Sequence, residues 1–315
     1  MSLPVFMTID VGPDDAILGH AHESGPGWDR SAAGLADLQA VIEQVSRHVG
    51  TRVETTWFVR ADRHVADIRG DTTAVFGRFG SFLAERVEAG DEVGWMPQIY
   101  SVHGSALEHA ALLSVHQSLL DAGWNPRSVR MGGCFHDDQS MAILDALRIE
   151  VDSSAIPGRQ KLDLGWRLDW RNTPPSAYLP SIADYRSAGS PSLRILELPL
   201  TVIPIRAPYD HAPLLRYLNP AMRPALFVEE DIAALVGHSD YLQCVVHPDE
   251  LRASARGAGH PLIAYSRDAC AENLCRWFDL ARVAGRPPIF ATTGRAPGLV
   301  PLHIEQLLPC APSDE

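Results

Sequence analysis

Acids that follow directly on an apolar run are the first residues in this chain whose placement could do chemistry. Pro4-Val-Phe-Met-Thr-Ile-Asp-Val-Gly-Pro-Asp-Asp15 passes from apolar and β-branched residues straight into carboxylates, Gly and Pro. Val5 to Ile9 is too short for a helix and is cut by Gly12-Pro13, so it reads as a buried strand that leaves Asp10 and then Asp14 at its C-terminal edge. Ligands of α/β folds bind at that edge, where a carboxylate can take a proton or hold a cation. The same residues would also serve a polar turn in which Asp14 and Asp15 cap the backbone. Later runs end in comparable groups: Met96-Pro-Gln-Ile-Tyr100, Gly132-Gly-Cys-Phe-His136-Asp-Asp138 and His247-Pro-Asp-Glu250. His20 and His22 lie in a stretch, Ala16 to Arg30, with no helical or alternating period. That stretch reads as a long loop that could cover the site, its histidines either ligating a metal or standing in solvent.

The elements that must position these groups alternate regularly. A helix from Ser31 to about Val49 carries Leu35, Leu38, Val41, Ile42 and Val45 on one stripe. A strand over Arg52 to Val59 ends at Arg60-Ala-Asp62, and its β-branched and aromatic content is that of a parallel strand. A helix (Thr72 to Ala89), a strand (Glu92 to Trp95), a helix (Ala106 to Ala122), a strand (Ser128 to Met131), a helix (Gln139 to Leu147) and a strand (Ile149 to Asp152) follow. This spacing predicts right-handed βαβ crossovers in an α/β fold with a parallel sheet or barrel. The rhythm breaks between residues 158 and 224, where Trp166, Trp170, Tyr178 and Tyr185 lie among prolines and Arg194 to Val202 reads as a strand. An aromatic insertion of this kind suits the wall of a sugar cleft, or simply packs on itself. The rhythm resumes with a helix (Val228 to Leu235), a strand (Tyr241 to Val246), a helix (Asp268 to Val283) and a strand (Ile289 to Thr293), so residues 1–315 are expected to form one domain.

A formal charge of −12 excludes the basic face that nucleic acid or an anionic membrane requires, and favours a small polar or neutral ligand. The longest apolar runs fall well short of the ~20 residues of a membrane span. The start, MSLPVF, has neither a basic n-region nor a hydrophobic h-region, so a cytoplasmic protein is expected. The five cysteines (Cys134, Cys244, Cys270, Cys275 and Cys310) are odd in number and contain no C-x-x-C pair, which indicates reduced packing residues rather than disulfides or a zinc knuckle.

Taken together, the strand ends resemble the polysaccharide deacetylase (NodB-homology) superfamily over roughly residues 4 to 293. Thr8-Ile-Asp10 looks like that family's first motif, Thr56-Trp-Phe-Val59 like its second strand, and Gly90-Asp-Glu-Val-Gly-Trp95 like the lead-in to its third. Val129-Arg130, Asp152-Ser-Ser, Asp169-Trp170 and Val246-His247-Pro248 fall where its later motifs stand. The resemblance implies an irregular (β/α) barrel of seven to eight parallel strands carrying an aromatic-rich insertion. It also implies a catalytic set in which Asp10 is the base, Arg130 orients it, His247 is the general acid and Asp169 belongs to the fourth motif. Trp95, Met96, Gln98, Tyr100, Trp166, Trp170, Asp14 and His136 are then expected to face substrate. Family members that use zinc take an acid shortly after the base and two histidines after the third strand. Here those places hold Val11 or Gly12 and Met96-Pro-Gln-Ile-Tyr100, so no metal and no other cofactor is expected unless Asp14, His20, His22 or His103 rebuild a site.

A carboxylate and an imidazole at opposed strand ends form a usable acid/base pair. The electrophile that zinc supplies elsewhere would have to come from the backbone N–H groups around Gly132-Gly133 or from the Arg130 guanidinium. The resulting expectation is a metal-independent hydrolase of a C–N amide, a deacetylase acting on an N-acetylated amino sugar or small glycoconjugate. A lyase, dehydratase or isomerase could use the same pair, and an inactive sugar- or partner-binding scaffold could keep it as a buried ion pair.

Overall fold

The computed structural model describes residues 2–13, 27–99, 106–163, 166–253 and 260–303. In the first half β1 (Leu3–Val11), α1 (Asp29–Val49), β2 (Thr55–Arg60), α2 (Arg63–Arg69), α3 (Ala74–Glu88), β3 (Glu92–Met96), α4 (Ala106–Asp121), β4 (Ser128–Val129), α5 (Asp138–Ala146) and β5 (Val151–Asp152) succeed one another. The second half opens with β6 (Gln160–Asp163), β7 (Trp166–Asp169), β8 (Pro180–Ser181), β9 (Asp184–Ala188), β10 (Leu196–Glu197), β11 (Val202–Ile205) and β12 (Leu214–Tyr217). It closes with α6 (Glu229–His238), β13 (Leu242–Val246), α7 (Arg267–Val283) and β14 (Pro288–Phe290). No helix among the described residues is long and apolar enough to cross a membrane.

Eight strands form one sheet in the order β10-β5-β4-β3-β2-β1-β13, with β14 pairing the start of β1. Every pairing in it is parallel, and the helices cover its outside, giving an irregular (β/α) barrel. Side chains span the seam between β10 and β13. The buried amide of Gln243, oriented by its partners, donates to the carbonyls of Leu198 (3.1 Å) and Pro199 (3.2 Å) and accepts from Arg130 (2.8 Å). Tyr241 Oη donates to Pro199 O at 2.8 Å beside it.

Strand alternation sorts the barrel's contents. Thr8, Asp10 and Phe58 meet the Arg130 guanidinium inside, the last as a stacked ring 4.5 Å away. Trp57 and Trp95, one residue out of phase, face the helices instead, packing on Phe82 of α3 (5.1 Å) and His116 of α4 (5.9 Å). Of the stripe expected on α1, Leu35, Leu38, Val41 and Val45 are buried and Ile42 is partly buried against the core. Sequence periodicity does not anticipate α2. Its seven residues show too few turns for a stripe, and its start is fixed by Asp62, which accepts from Val65 N at 2.9 Å.

The insertion is more ordered than its prolines imply. It contains three two-stranded antiparallel ribbons among the described residues, β6/β7, β8/β9 and β11/β12. The single strand expected over Arg194 to Val202 is divided. Leu196–Glu197 joins the main sheet beside β5, Pro199 cannot donate to a ladder, and β11 then starts a separate ribbon with β12.

Candidate active site

The geometry begins at the end of β1. Asp10 is buried, and its Oδ1 accepts from Arg130 Nη1 at 2.8 Å. The same nitrogen donates to Thr8 Oγ1 (2.8 Å), while Nε donates to Ser153 O (2.9 Å) and Nη2 to Ser153 Oγ (2.8 Å). Arg130 is thus fixed from every side by β1, the β5 edge and the Phe58 ring. It aims Asp10, but its donors are committed and it does not supply the electrophile that the sequence left open to it.

His247 follows directly on β13, which runs parallel to β1, and its Nε2 stands 3.7 Å from Asp10 Oδ2. Glu250, three residues on, brings its carboxylate 3.4 Å from His247 Nδ1 and accepts from His247 N at 2.9 Å. Asn219 Nδ2 holds both Glu250 oxygens, at 3.0 and 2.9 Å. Desolvation lowers the His247 pKa, but the carboxylates of Glu250, Asp10 and Asp249 outweigh it and raise the imidazole to about 10. Glu250 moves the opposite way: burial would raise it, yet the imidazolium and the hydrogen bonds from His247 and Asn219 hold it below the usual carboxylate range. Sequence reading missed the roles of Glu250 and Asn219. The i, i+3 spacing from His247 to Glu250 was the available signal for the first; Asn219, distant in sequence, gave none.

α1 seats the loop that carries His247. Arg30 Nη2 reaches Asp249 Oδ2 at 3.5 Å and Arg252 pairs with Asp37. Between them a Cβ on Gly34 would overlap the Pro248 carbonyl, so only glycine lets the helix approach this closely.

A cavity of about 240 Å³ opens where these groups meet, lined chiefly by Asp10, Arg60, Met96, Gln98, Gly133 and His247. That is slightly under the range of small-molecule sites, so it admits one compact group of a larger substrate. Gly133 holds a left-handed turn (φ 63°) at its wall. The donor set does not suit a divalent ion. Met96 offers a neutral thioether, Gln98 a neutral amide and Gly12 nothing; one Asp10 oxygen is engaged by Arg130, Asp249 pairs with Arg30, His247 is held protonated, and the Arg60 guanidinium stands in the wall. Among the described residues no three His, Cys, Asp or Glu side chains lie together as a metal site would require.

The remaining expected site residues lie elsewhere. Trp95 is wholly buried on the helix side of β3, with its indole N–H on Ala61 O (2.9 Å). Trp170 is also wholly buried, donating to Cys134 O at 2.9 Å and packed edge-on against Tyr185. Neither indole lines the cavity. Asp169 is buried in a structural cluster with Arg171 (2.9 Å) and Arg186 (3.0 Å), and His136 pairs with Asp152 at 3.0 Å, both away from the cavity lining. Burial pushes the Cys134 thiol up to about 12, so no thiolate nucleophile stands nearby. Asp14, Tyr100, His20, His22, His103 and the side chain of Trp166 lie outside the described residues, as does most of the expected loop over the site.

No family model and no curated protein matches the chain. Solved structures do. A candidate glycoside hydrolase/deacetylase from Parabacteroides distasonis superposes with a TM-score of 0.64 at 12% identity, over 95% of this chain and 70% of that one. A candidate polysaccharide deacetylase from Mycobacterium smegmatis superposes with a TM-score of 0.50 at 16% identity, over 96% and 93%. Strand order and these superpositions show that the chain shares the irregular (β/α)-barrel fold of these two structures.

Proposed function

We propose that the protein is a metal-independent hydrolase of a C–N amide bond, a deacetylase of an N-acetylated amino sugar or small glycoconjugate. The observation that carries this reading is the pairing in one cavity of Asp10, aimed by Arg130, with His247, held as its imidazolium by Glu250. Asp10 takes a proton from water as the water oxygen bonds to the amide carbon. His247 then gives its proton to the nitrogen as the C–N bond breaks, leaving an amine and a carboxylate. That proteins sharing the fold are described as candidate deacetylases supports the substrate class, and the 240 Å³ cavity has room for the acyl group of such a substrate.

The test is acetate release from a panel of free and carrier-linked N-acetylated amino sugars. Wild type should turn over at least one, and Asp10→Asn or His247→Ala should lower that turnover by ~10²-fold or more. No release from any member, or wild-type rates in both variants, would refute the proposal.

A further inference from the structure

Asn219 stands just past β12, wholly buried and outside the cavity lining. Its amide can stand only one way. Oδ1 accepts from Ala221 N at 2.8 Å, an Asx turn, so the nitrogen is the end that faces both Glu250 oxygens. Turned over, the amide would set an oxygen against a carboxylate and an NH2 against an N–H. The segment that carries it is pinned on two sides. Leu218 N donates to Thr201 O (2.8 Å), Leu218 O accepts from Val245 N of β13 (3.0 Å), and Asn273 Nδ2 of α7 donates to the carbonyls of Pro220 (2.9 Å) and Met222 (2.8 Å). β13 and α7 thus place Asn219, and Asn219 ties Glu250 to that frame.

The charges around His247 come from several elements. Burial opposes its proton, and Glu250 leads the carboxylates that outweigh burial, ahead of Asp10 and Asp249. Asp10 is paired with Arg130 (2.8 Å) and Asp249 with Arg30 (3.5 Å), while the Arg60 guanidinium stands in the same cavity wall. The Tyr217 phenol at the end of β12 is pushed up by burial, then by Glu250 and Asp10, and stays neutral. Glu250 differs from the other two acids. Its donors are the neutral Asn219 amide and the His247 N–H, and among the described residues its only ion pair is with His247 itself.

We infer that Asn219 is a positioning residue for His247, acting through Glu250: it holds that carboxylate beside Nδ1 with a neutral donor, which leaves the carboxylate's charge free to act on the imidazole. An arginine in its place would fix Glu250 as firmly but would cancel the charge; an amide fixes it and cancels nothing. Without Asn219, Oε1 loses its one donor among the described residues. A buried carboxylate so stripped takes up a proton or turns toward water, and either change withdraws negative charge from Nδ1. The effect on turnover rests on the proposed amide hydrolysis; the effect on the imidazole does not.

Two readouts separate them. The His247 imidazole, followed by NMR against pH and assigned by its absence from His247→Ala, should titrate in Asn219→Leu about one unit or more below wild type. Asn219→Ser is measured beside it, because a serine hydroxyl can keep the turn to Ala221 N while losing its reach to Glu250, and it should show the same shift. In a Glu250→Gln background neither substitution should move His247 further, since both act through that carboxylate. With a cleavable N-acetyl sugar, the alkaline limb of kcat/KM should move down with the imidazole and KM should stay within about a few-fold. A folded Asn219→Ser or Asn219→Leu whose His247 titrates as in wild type or higher overturns the inference, as does a shift of equal size in the Glu250→Gln background. An imidazole that moves with Asn219 in a protein that cleaves no N-acetyl sugar supports the positioning role and refutes the hydrolase. A limb that stays while the imidazole moves supports the positioning role and removes His247 as the acid.

Discussion

Two histidine–carboxylate pairs stand at strand ends of this barrel, and they differ in almost everything but chemistry. His136 and Asp152 meet at 3.0 Å with both side chains fully buried. The ring is held by Ser140 Oγ at 2.7 Å and stacked on Tyr185. Desolvation would raise Asp152, but His136 and nearby hydrogen bonds hold it low, while burial and Asp152 push the Glu197 carboxyl well above the usual range. His247 instead keeps 37% of its side chain exposed, with the Glu250 carboxylate 3.4 Å from Nδ1 and the Asp10 carboxylate 3.7 Å from Nε2, both longer than the contact of the buried pair. A pair closed on itself braces two elements. A charged imidazole that is near acids but not spent on them can still hand over its proton.

The comparison breaks first on variants of the two imidazoles. His136→Ala leaves the buried Asp152 carboxylate without its only nearby imidazole, held by Ser154 and Glu197 alone, which costs ~3 kcal/mol, so the urea midpoint should fall while the folded fraction keeps turnover within a few-fold. His247→Ala should lose ~10²-fold or more in turnover, with a smaller fall in the urea midpoint than His136→Ala, since its ion pairs are partly exposed. Loss of activity at unchanged stability in His136→Ala would show the buried pair to be part of the machinery after all.

The same contrast shows where sequence reading reaches. Asp10, Arg130 and His247 were legible because each ends an apolar run, and parallel strands of one sheet bring such ends to a common edge. Trp95 and Trp170 were misplaced because aromatic residues suit a cleft wall and a core equally. Strand parity already forbade Trp95 and its neighbour Met96 from sharing a face. Parity likewise pointed Arg60 inward with Phe58, yet an arginine at a strand end reads as a solvated terminus until Asp62 is seen to hold it. Asn219 could not be read at all, since its contact with Glu250 crosses 31 residues of chain.

A subtler measurement is the pH profile. The folded value of His247, about 10, lies above its ordinary 6.5, so its contribution to stability is fully present below 6.5 and is lost as pH rises through 10. Turnover that uses its proton should fall over the same alkaline limb. Glu250→Gln removes the largest influence that raises the imidazole, so the limb should move down toward 6.5, read as kcat/KM against pH. Asp152, held below its ordinary 3.8, acts at the other end: its contribution is present above 3.8 and lost as pH falls through its folded value. Wild type whose alkaline limb is unmoved by Glu250→Gln would remove His247 from the acid's role.

The smallest expected effect is none at all, from chelation. One lost ligand leaves a weak metal site, because two ligands and a water still hold the ion. Replacing all three is different in kind. Met96 and Gln98 line the cavity as a thioether and a neutral amide, and Gly12 carries no donor. None of these three positions offers an imidazole or a carboxylate, and the cavity's own imidazole, His247, is held protonated, so the basicity that binds zinc near neutral pH is missing. The Arg60 guanidinium beside them further disfavours a second cation. EDTA, followed by buffer exchange, should therefore leave turnover within error of the untreated protein, whereas Asp10→Asn abolishes it. If chelation stops turnover and added zinc restores it, the ligands must come from outside the described residues, and His20→Ala, His22→Ala and His103→Ala would identify them by loss of zinc retained on dialysis.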